Sequence, residues 1–289
     1  MISLKPYLQL TRPANLVTAV ADILAGMAIA SFTFSNLSPF WLILSTLGLY
    51  GGGVVMNDVF DAKLDAVERP ERPIPSGKVK LASAALLGIS LLFFGILAAT
   101  IFSFQSGVVA IGIGILTIIY NRFAKHHAFL GPLTMGMCRG GNLILGMSVL
   151  PISFEKWGWI SAIPIAYIFA ITMISQDEVH GGKKRTLYTA ALLYLAVLSV
   201  QLVIAVNKGN ILLTIPFVVL HAWLIGRPLL NAIHNPIGPL IGKAVKAGVI
   251  SLIVMNASWC MAFGLWPVAL AVLALLPISM RLAKLFAVT

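Results

Sequence analysis

Residues 39–65 read PFWLILSTLGLYGGGVVMNDVFDAKLD. From Pro39 to Met56 no side chain is charged; then Asn57, Asp58, Asp61, Lys63 and Asp65 arrive together. An uncharged apolar run of this length, about 18 residues or more, is what crosses a hydrocarbon layer roughly 30 Å thick. The rest of the 289-residue chain repeats the pattern, with 59% hydrophobic and 10% charged residues and a mean hydropathy of +0.97. An average soluble chain has about 45–50% and about 25%, so this one is too poor in charge to clothe a water-facing surface. The expected fold class is all-α, a polytopic transmembrane bundle treated as one domain over residues 1–289.

Apolar runs that can span fall at about 14–34, 39–57, 82–103, 106–121, 130–150, 157–176, 187–206, 210–230, 245–264 and 265–285. Ten spans are expected, with nine plus a C-terminal re-entrant or interfacial helix as the alternative. The first run lacks a small-residue cleavage site after a short apolar core and reads as a retained span rather than a signal peptide. Placing the amino terminus inside puts 17 of the 20 Lys and Arg in inner loops, leaving Lys156 and Lys208 outside and Arg139 within a span. That asymmetry is the positive-inside bias of an integral, multi-pass membrane protein. Trp41, Trp157, Trp159 and Trp266 fall at the outer edges, where aromatic belts form. The net charge of +11 therefore reports orientation in a lipid bilayer, and nucleic acid is not an expected partner. Cys138 and Cys260 lie inside apolar runs, so no disulfide framework is legible. The five histidines show no zinc spacing.

The acids are as uneven as the bases: seven of nine lie at the inner ends of spans two and six. If span two stays helical through Asp65, Asp58, Asp61 and Asp65 share a sector of roughly 60°, widened to about 80° by Asn57. Carboxylates so placed repel one another unless a cation is shared, and hard oxygen donors of this kind suit Mg²⁺ with substrate phosphates. A solvated helix end is the plainer alternative. The next stretch, Glu68-Arg69-Pro70-Glu71-Arg72-Pro73-Ile74-Pro75-Ser76-Gly77-Lys78, is a stiff loop that sets Arg72 and Lys78 beside the acids. Acids for a metal next to bases for an anion form the two halves of a phosphate site.

With these residues in view the chain resembles the UbiA superfamily of intramembrane prenyltransferases. The family's Asn-Asp-x-x-Asp-x-x-x-Asp motif is matched by Asn57, Asp58, Asp61 and Asp65, and its Arg-Pro-x-Pro-Ser-Gly loop by Arg72 through Gly77. Arg12-Pro13-Ala14-Asn15 is similar to the family's usual start of span one. The short loops and Met137-Cys138-Arg139-Gly140-Gly141-Asn142 resemble more narrowly the Ebo-cluster branch, termed EboC. The resemblance implies a Mg²⁺-dependent transferase that moves an isoprenoid chain from its diphosphate to a lipophilic acceptor, with its active site on the cytoplasmic side.

The same resemblance implies a second Asp-x-x-x-Asp motif at the inner end of span six. Here Asp177 takes its first position and Gly181 stands where the second acid belongs, with Glu178 or His180 as substitutes. On a continuing helix Glu178 would lie about 100° from Asp177. A Tyr-x-x-x-Lys element after span four is matched with its lysine one residue late, in Tyr120-Asn121-Arg122-Phe123-Ala124-Lys125. The implied metal ligands are Asp58, Asp61, Asp65, Asp177 and Glu178. Asn57, Arg72, Arg122, Lys125 and Lys183 are assigned to the diphosphate, the bases alternatively anchoring lipid headgroups.

Asp22 and Arg139 lie at nearly equal depth in spans one and five. An ionised group there costs upward of about 2.5 kcal/mol, so the two are expected to pair, with Asn15, Thr18 and Asn142 as polar neighbours. The pair either fixes helix register or turns Arg139 toward an acceptor cavity. The incomplete second motif keeps two other functions in play: a carrier of a lipophilic precursor, and a terpene cyclase.

Overall fold

A computed structural model describes residues 4–32, 38–178, 181 and 183–286. His180, a candidate ligand above, lies outside the described residues. Every regular element among those described is helical: α1 (Lys5–Leu10), α2 (Pro13–Ile29), α3 (Phe40–Phe60), α4 (Ala62–Glu68), α5 (Leu81–Phe102), α6 (Phe104–Ile119), a π-turn (Tyr120–Ala124), α7 (Leu130–Met147), α8 (Ser153–Trp157), a 3₁₀ turn (Gly158–Ser161), α9 (Ala162–Ser175), α10 (Lys184–Asn207), α11 (Ile211–His234), α12 (Gly238–Ala262) and α13 (Trp266–Leu285). α2, α3, α5–α7 and α9–α13 stand where the ten apolar runs were read.

Among the described residues eight segments are long and apolar enough to cross a membrane by themselves, α13 with its 20 residues among them. α2, at 17 residues, falls short. α7 is not among the eight either, because its 18 residues include several glycines, Arg139 and Asn142. Both are enclosed by protein. α2 packs against α3, α7, α12 and α13, and α7 is covered further by α6 and α9. A helix so surrounded meets other helices instead of lipid and can carry polar groups that a lipid-facing helix cannot.

Close backbone approach makes that enclosure possible. A Cβ on Gly26 of α2 would meet the Leu143 carbonyl of α7, and one on Gly146 of α7 would meet the Ile23 carbonyl of α2. The two glycines face each other's neighbours, the small-residue contact by which helices approach in lipid. α12 is the other central helix, buried continuously from Ser251 to Ala262 and in contact with α2, α9, α10, α11 and α13.

The helix ends depart from the expected ones in three places. α12 begins at Gly238, earlier than the apolar run at 245, because Lys243 and Lys246 are taken into its first turns. The sixth run breaks into α8, the 3₁₀ turn and α9. α9 stops at Ser175. Substituting Gly146 by Val drives a side chain into the Ile23 backbone, and overpacking of this kind costs about 1–3 kcal/mol. The expected outcome is a lower thermal midpoint for the detergent-purified G146V protein than for wild type; an unchanged midpoint contradicts the tight α2–α7 contact.

Candidate active site

One end of the bundle gathers the acids and bases. α3 runs with little interruption into α4, Asp61 forming the joint with φ −86° and ψ −1°. Asp58 and Asp65 lie on one face and are bridged by Arg72, whose Nη1 is 2.7 Å from Asp65 and 3.5 Å from Asp58. Arg12 donates from Nη2 to the same Asp58 oxygen at 2.7 Å. Asp61 turns instead toward the α6 side and binds Lys125. The three carboxylates are thus neutralised by three bases from three separate segments.

Each base is placed by local structure. Arg72 sits in the proline-rich loop, which folds on itself through Ser76 N–H to Arg72 O at 3.0 Å and Val79 N–H to Pro73 O at 2.9 Å. Gly77 takes φ +73°, and Val79 inserts into a small core with Leu10, Val55 and Ala84. Arg12 precedes Pro13 and adopts φ +48°, ψ +67°, a left-handed conformation that costs a non-glycine residue about 1–3 kcal/mol. The Asp58 ion pair holds it there. Burial weighs against the charged form of Arg12, yet Asp58, with Tyr50 and Tyr120 also contributing, keeps the guanidinium above its ordinary value.

Lys125 is placed by the π-turn. Its N–H bonds the Tyr120 carbonyl at 3.0 Å, a bond over five residues instead of four. That extra residue is the one by which the Tyr-x-x-x-Lys element appeared out of register, so the backbone absorbs the misfit and delivers Lys125 to Asp61. π-turns of this sort recur at functional sites. Arg122, expected as an alternative base, is exposed and outside the cavity lining, because the same register turns it away.

A cavity of about 590 Å³ opens beside this cluster. Arg12, Asn57, Arg72, Tyr120 and Asn121 line its mouth, with Glu178 and Lys246 from α9's end and α12. Ile168, Ile171, Val249 and Leu252 form apolar wall, and Tyr50, Cys138, Arg139 and Asn142 also line it; Asn15 joins from α2. At the second motif the structure corrects two expectations. The chain leaves α9 at Ser175 and turns, with Glu178 N–H on the Ser175 carbonyl at 3.2 Å, so the helical wheel used for residues 177–178 does not apply. Glu178 faces the cavity beside Gly242, whereas Asp177 is half-buried and does not line it. Lys183 is exposed and likewise outside the lining.

Behind the cavity wall, Asp22 and Arg139 pair at 2.6 Å, with side chains 1% and 5% exposed. Asp22 also accepts from Asn142 at 3.0 Å and from Asn256 at 2.7 Å. Arg139 donates to Thr18 at 2.7 Å and lies 5.5 Å over the Tyr50 ring. Thr46 donates to Asn142 at 2.7 Å. Three helices, α2, α7 and α12, meet at one buried carboxylate, and α3 joins them through the Asn142 oxygen. Asn256, Thr46 and Asn121 were given no role from sequence, and only helix packing says which one meets which.

Asn57, Asp58, Asp61 and Asp65 are all oxygen donors, the set a hard divalent ion takes, and such an ion needs only one or two carboxylates beside water and phosphate oxygens. Among the described residues no three His, Cys, Asp or Glu side chains converge as a ligand group. The residues fit an ion on condition that Asp58 or Asp61 exchanges its base for it.

The chain matches the UbiA prenyltransferase family over residues 19–236. The chain belongs to the UbiA prenyltransferase family. It is 31% identical over 176 residues to the digeranylgeranylglyceryl phosphate synthase of Saccharolobus solfataricus, a match covering 61% of this chain and 62% of that one. It therefore spans less than two thirds of that relative's length. In fold it is similar to a UbiA homologue from Aeropyrum pernix K1, with TM-score 0.67, 15% identity and coverage of 84% of this chain and 96% of that one. It is similar too to a UbiA homologue from Archaeoglobus fulgidus solved with GPP and Mg²⁺, with TM-score 0.62, 14% identity and coverage of 86% and 99%.

Removing one partner of a fully buried ion pair leaves an uncompensated charge and costs about 3–5 kcal/mol. For this UbiA-family chain, D22N and R139Q are each expected to lower the thermal midpoint strongly, and the double variant less than the sum of the two. Midpoints unchanged in both single variants would contradict the pairing.

Proposed function

We propose that the protein is an integral membrane prenyltransferase that moves an isoprenoid chain from its diphosphate to a lipophilic acceptor. The observation that carries this reading is a cavity with apolar walls whose lining includes Asn57, Arg12 and Arg72, the two bases being paired to Asp58 and Asp65 just outside the lining. The A. fulgidus homologue was solved with an isoprenoid diphosphate and Mg²⁺, which supports the same ligand pair here. The surplus of bases at the ends next to the acids supports a cytoplasmic mouth.

In this reading Asp58 and Asp61, with Asn57 beside them, would hold Mg²⁺, and Glu178 supplies the carboxylate of the facing wall. Mg²⁺, when bound, withdraws charge from the departing diphosphate. Arg12, Arg72 and Lys125 bind the remaining diphosphate oxygens, and Asp65 keeps Arg72 in place. These bases stabilise the negative pole that grows as the allylic C–O bond breaks, an electrostatic contribution that needs no rearrangement once they are seated. The apolar walls accommodate the chain and exclude water, which would otherwise capture the allylic cation. The acceptor's nucleophile forms the new bond at that carbon and passes its proton to the departed diphosphate. Asn15, Arg139 and Asn142 offer polar contacts to the acceptor, with Asp22 fixing Arg139.

The S. solfataricus relative is named for a doubly prenylated glycerol phosphate. Its singly prenylated precursor is accordingly a first acceptor to test beside an aromatic hydroxy acid. Purified protein is incubated with Mg²⁺ and farnesyl or geranylgeranyl diphosphate, with and without each acceptor. Diphosphate release that depends on acceptor is the expected outcome. Release without acceptor indicates cyclisation or hydrolysis, and none with any acceptor indicates a carrier. D61A is expected to lose more than about a hundredfold in turnover while retaining helix content. Full activity in D61A would remove the metal assignment.

A further inference from the structure

Gly53 and Asn57 of α3 and Asp61 at its end, at four-residue intervals, meet three residues at the same interval across the end of α6, Thr117, Asn121 and Lys125. A Cβ on Gly53 would lie 3.0 Å from Thr117 Cγ2. Asn57 Nδ2 donates to Asn121 Oδ1 at 2.9 Å, and Lys125 binds Asp61. The π-turn lies within this ladder and keeps its last rung in register.

The middle rung has a direction. Asn121 is 4% exposed, and its Nδ2 lies 3.3 Å from the Gly53 carbonyl oxygen. A carbonyl only accepts, so the end of Asn121 facing it must be the NH₂ group. The Asn121 oxygen then faces Asn57 and can only accept, so Asn57 must offer its own NH₂. Amide orientation is assigned from networks of this kind, and here both assignments follow from one fixed acceptor. What is left of the Asn57 amide for the cavity it lines is its unpartnered oxygen and one N–H.

We infer that Asn121 is a positioning residue that fixes the orientation of the Asn57 amide and leaves its oxygen available to a cation at the cavity. An oxygen so left repels diphosphate oxygens and attracts a hard divalent ion, where the motif resemblance implied a diphosphate role for Asn57. The inference rests on the metal reading of the cavity mouth given above.

The test is Mn²⁺ binding to the purified full-length protein in detergent, followed by electron paramagnetic resonance with no prenyl donor present, alongside thermal unfolding. N121L neither accepts from Asn57 nor donates to Gly53, so Asn57 is free to rotate. Loss of such outer-sphere support lowers metal affinity by about 10–100-fold, and at least tenfold weaker Mn²⁺ binding is expected. N121D still accepts from Asn57 but sets its other oxygen against the Gly53 carbonyl, so a lower thermal midpoint is expected together with Mn²⁺ binding within about threefold of wild type or tighter, well short of that loss. Wild-type affinity in folded N121L overturns the inference alone. So does a loss in N121D comparable to that expected of N121L, and N121D decides the matter if N121L does not fold. A wild-type protein that takes up no Mn²⁺ overturns the metal reading of the mouth and this inference with it.

Discussion

A carboxylate inside a helical bundle in lipid has no water to turn to, and the fold must bring a positive charge or several N–H groups within hydrogen-bond distance of it. That constraint organises this protein. Asp58, Asp61 and Asp65 each hold a base drawn from a different part of the chain, and Asp22 holds Arg139 with two asparagines completing its shell. Because the partners come from separate helices, neutralising the charges also fixes the packing. α2 contributes Asp22 and, at its start, Arg12, and so takes part in both clusters. It is the helix that the bundle encloses, and with α7 it is excused from the hydropathy a lipid-facing span needs.

The spans were legible because a bilayer imposes length and composition on each of them, and because bases and acids mark their ends. The clustering of Asp58, Asp61 and Asp65 was legible for the same reason that any helical face is, from its periodicity. The cation expected to relieve their repulsion was read as a shared metal. In the structure Arg12, Arg72 and Lys125 do that work, and only tertiary contact brings Arg12 and Lys125 to acids 46 and 64 positions away. The relative placement of Asp177 and Glu178 was not legible, because the helical wheel was extended past Ser175, where the helix has already ended. Asn121, Asn256 and Thr46 escaped notice because an uncharged polar side chain carries no spacing signal of its own; its meaning lies wholly in its partner.

The π-turn shows how a mismatch in spacing can be reconciled by the backbone. Read as an α-helix, Tyr120–Lys125 puts the lysine about 100° from its expected direction, and Arg122 competes for its role. One bond over five residues removes the difference, leaves Arg122 exposed and presents Asn121 to Asn57 and Lys125 to Asp61. An insertion at this point thus preserves the contact, whereas a deletion elsewhere in the ladder would rotate every rung.

Charge balance also separates what the two polar clusters can bind. At the mouth three acids and three bases cancel, so an incoming diphosphate and a divalent ion, whose charges largely offset each other, can exchange into the cluster with little change in net charge. The bases released by the acids are then the ones free to meet phosphate oxygens. The Asp22–Arg139 pair is different. Its acid is satisfied on both oxygens by groups that do not reach solvent, so it has nothing to exchange, and Arg139 meets the cavity already neutralised. A ligand group beside Arg139 is therefore recognised by hydrogen bonding and by the adjacent Tyr50 face more than by net charge. Under the proposed reading, ionic recognition belongs to the donor at the mouth, and directional recognition of oxygen belongs to the acceptor beside Arg139.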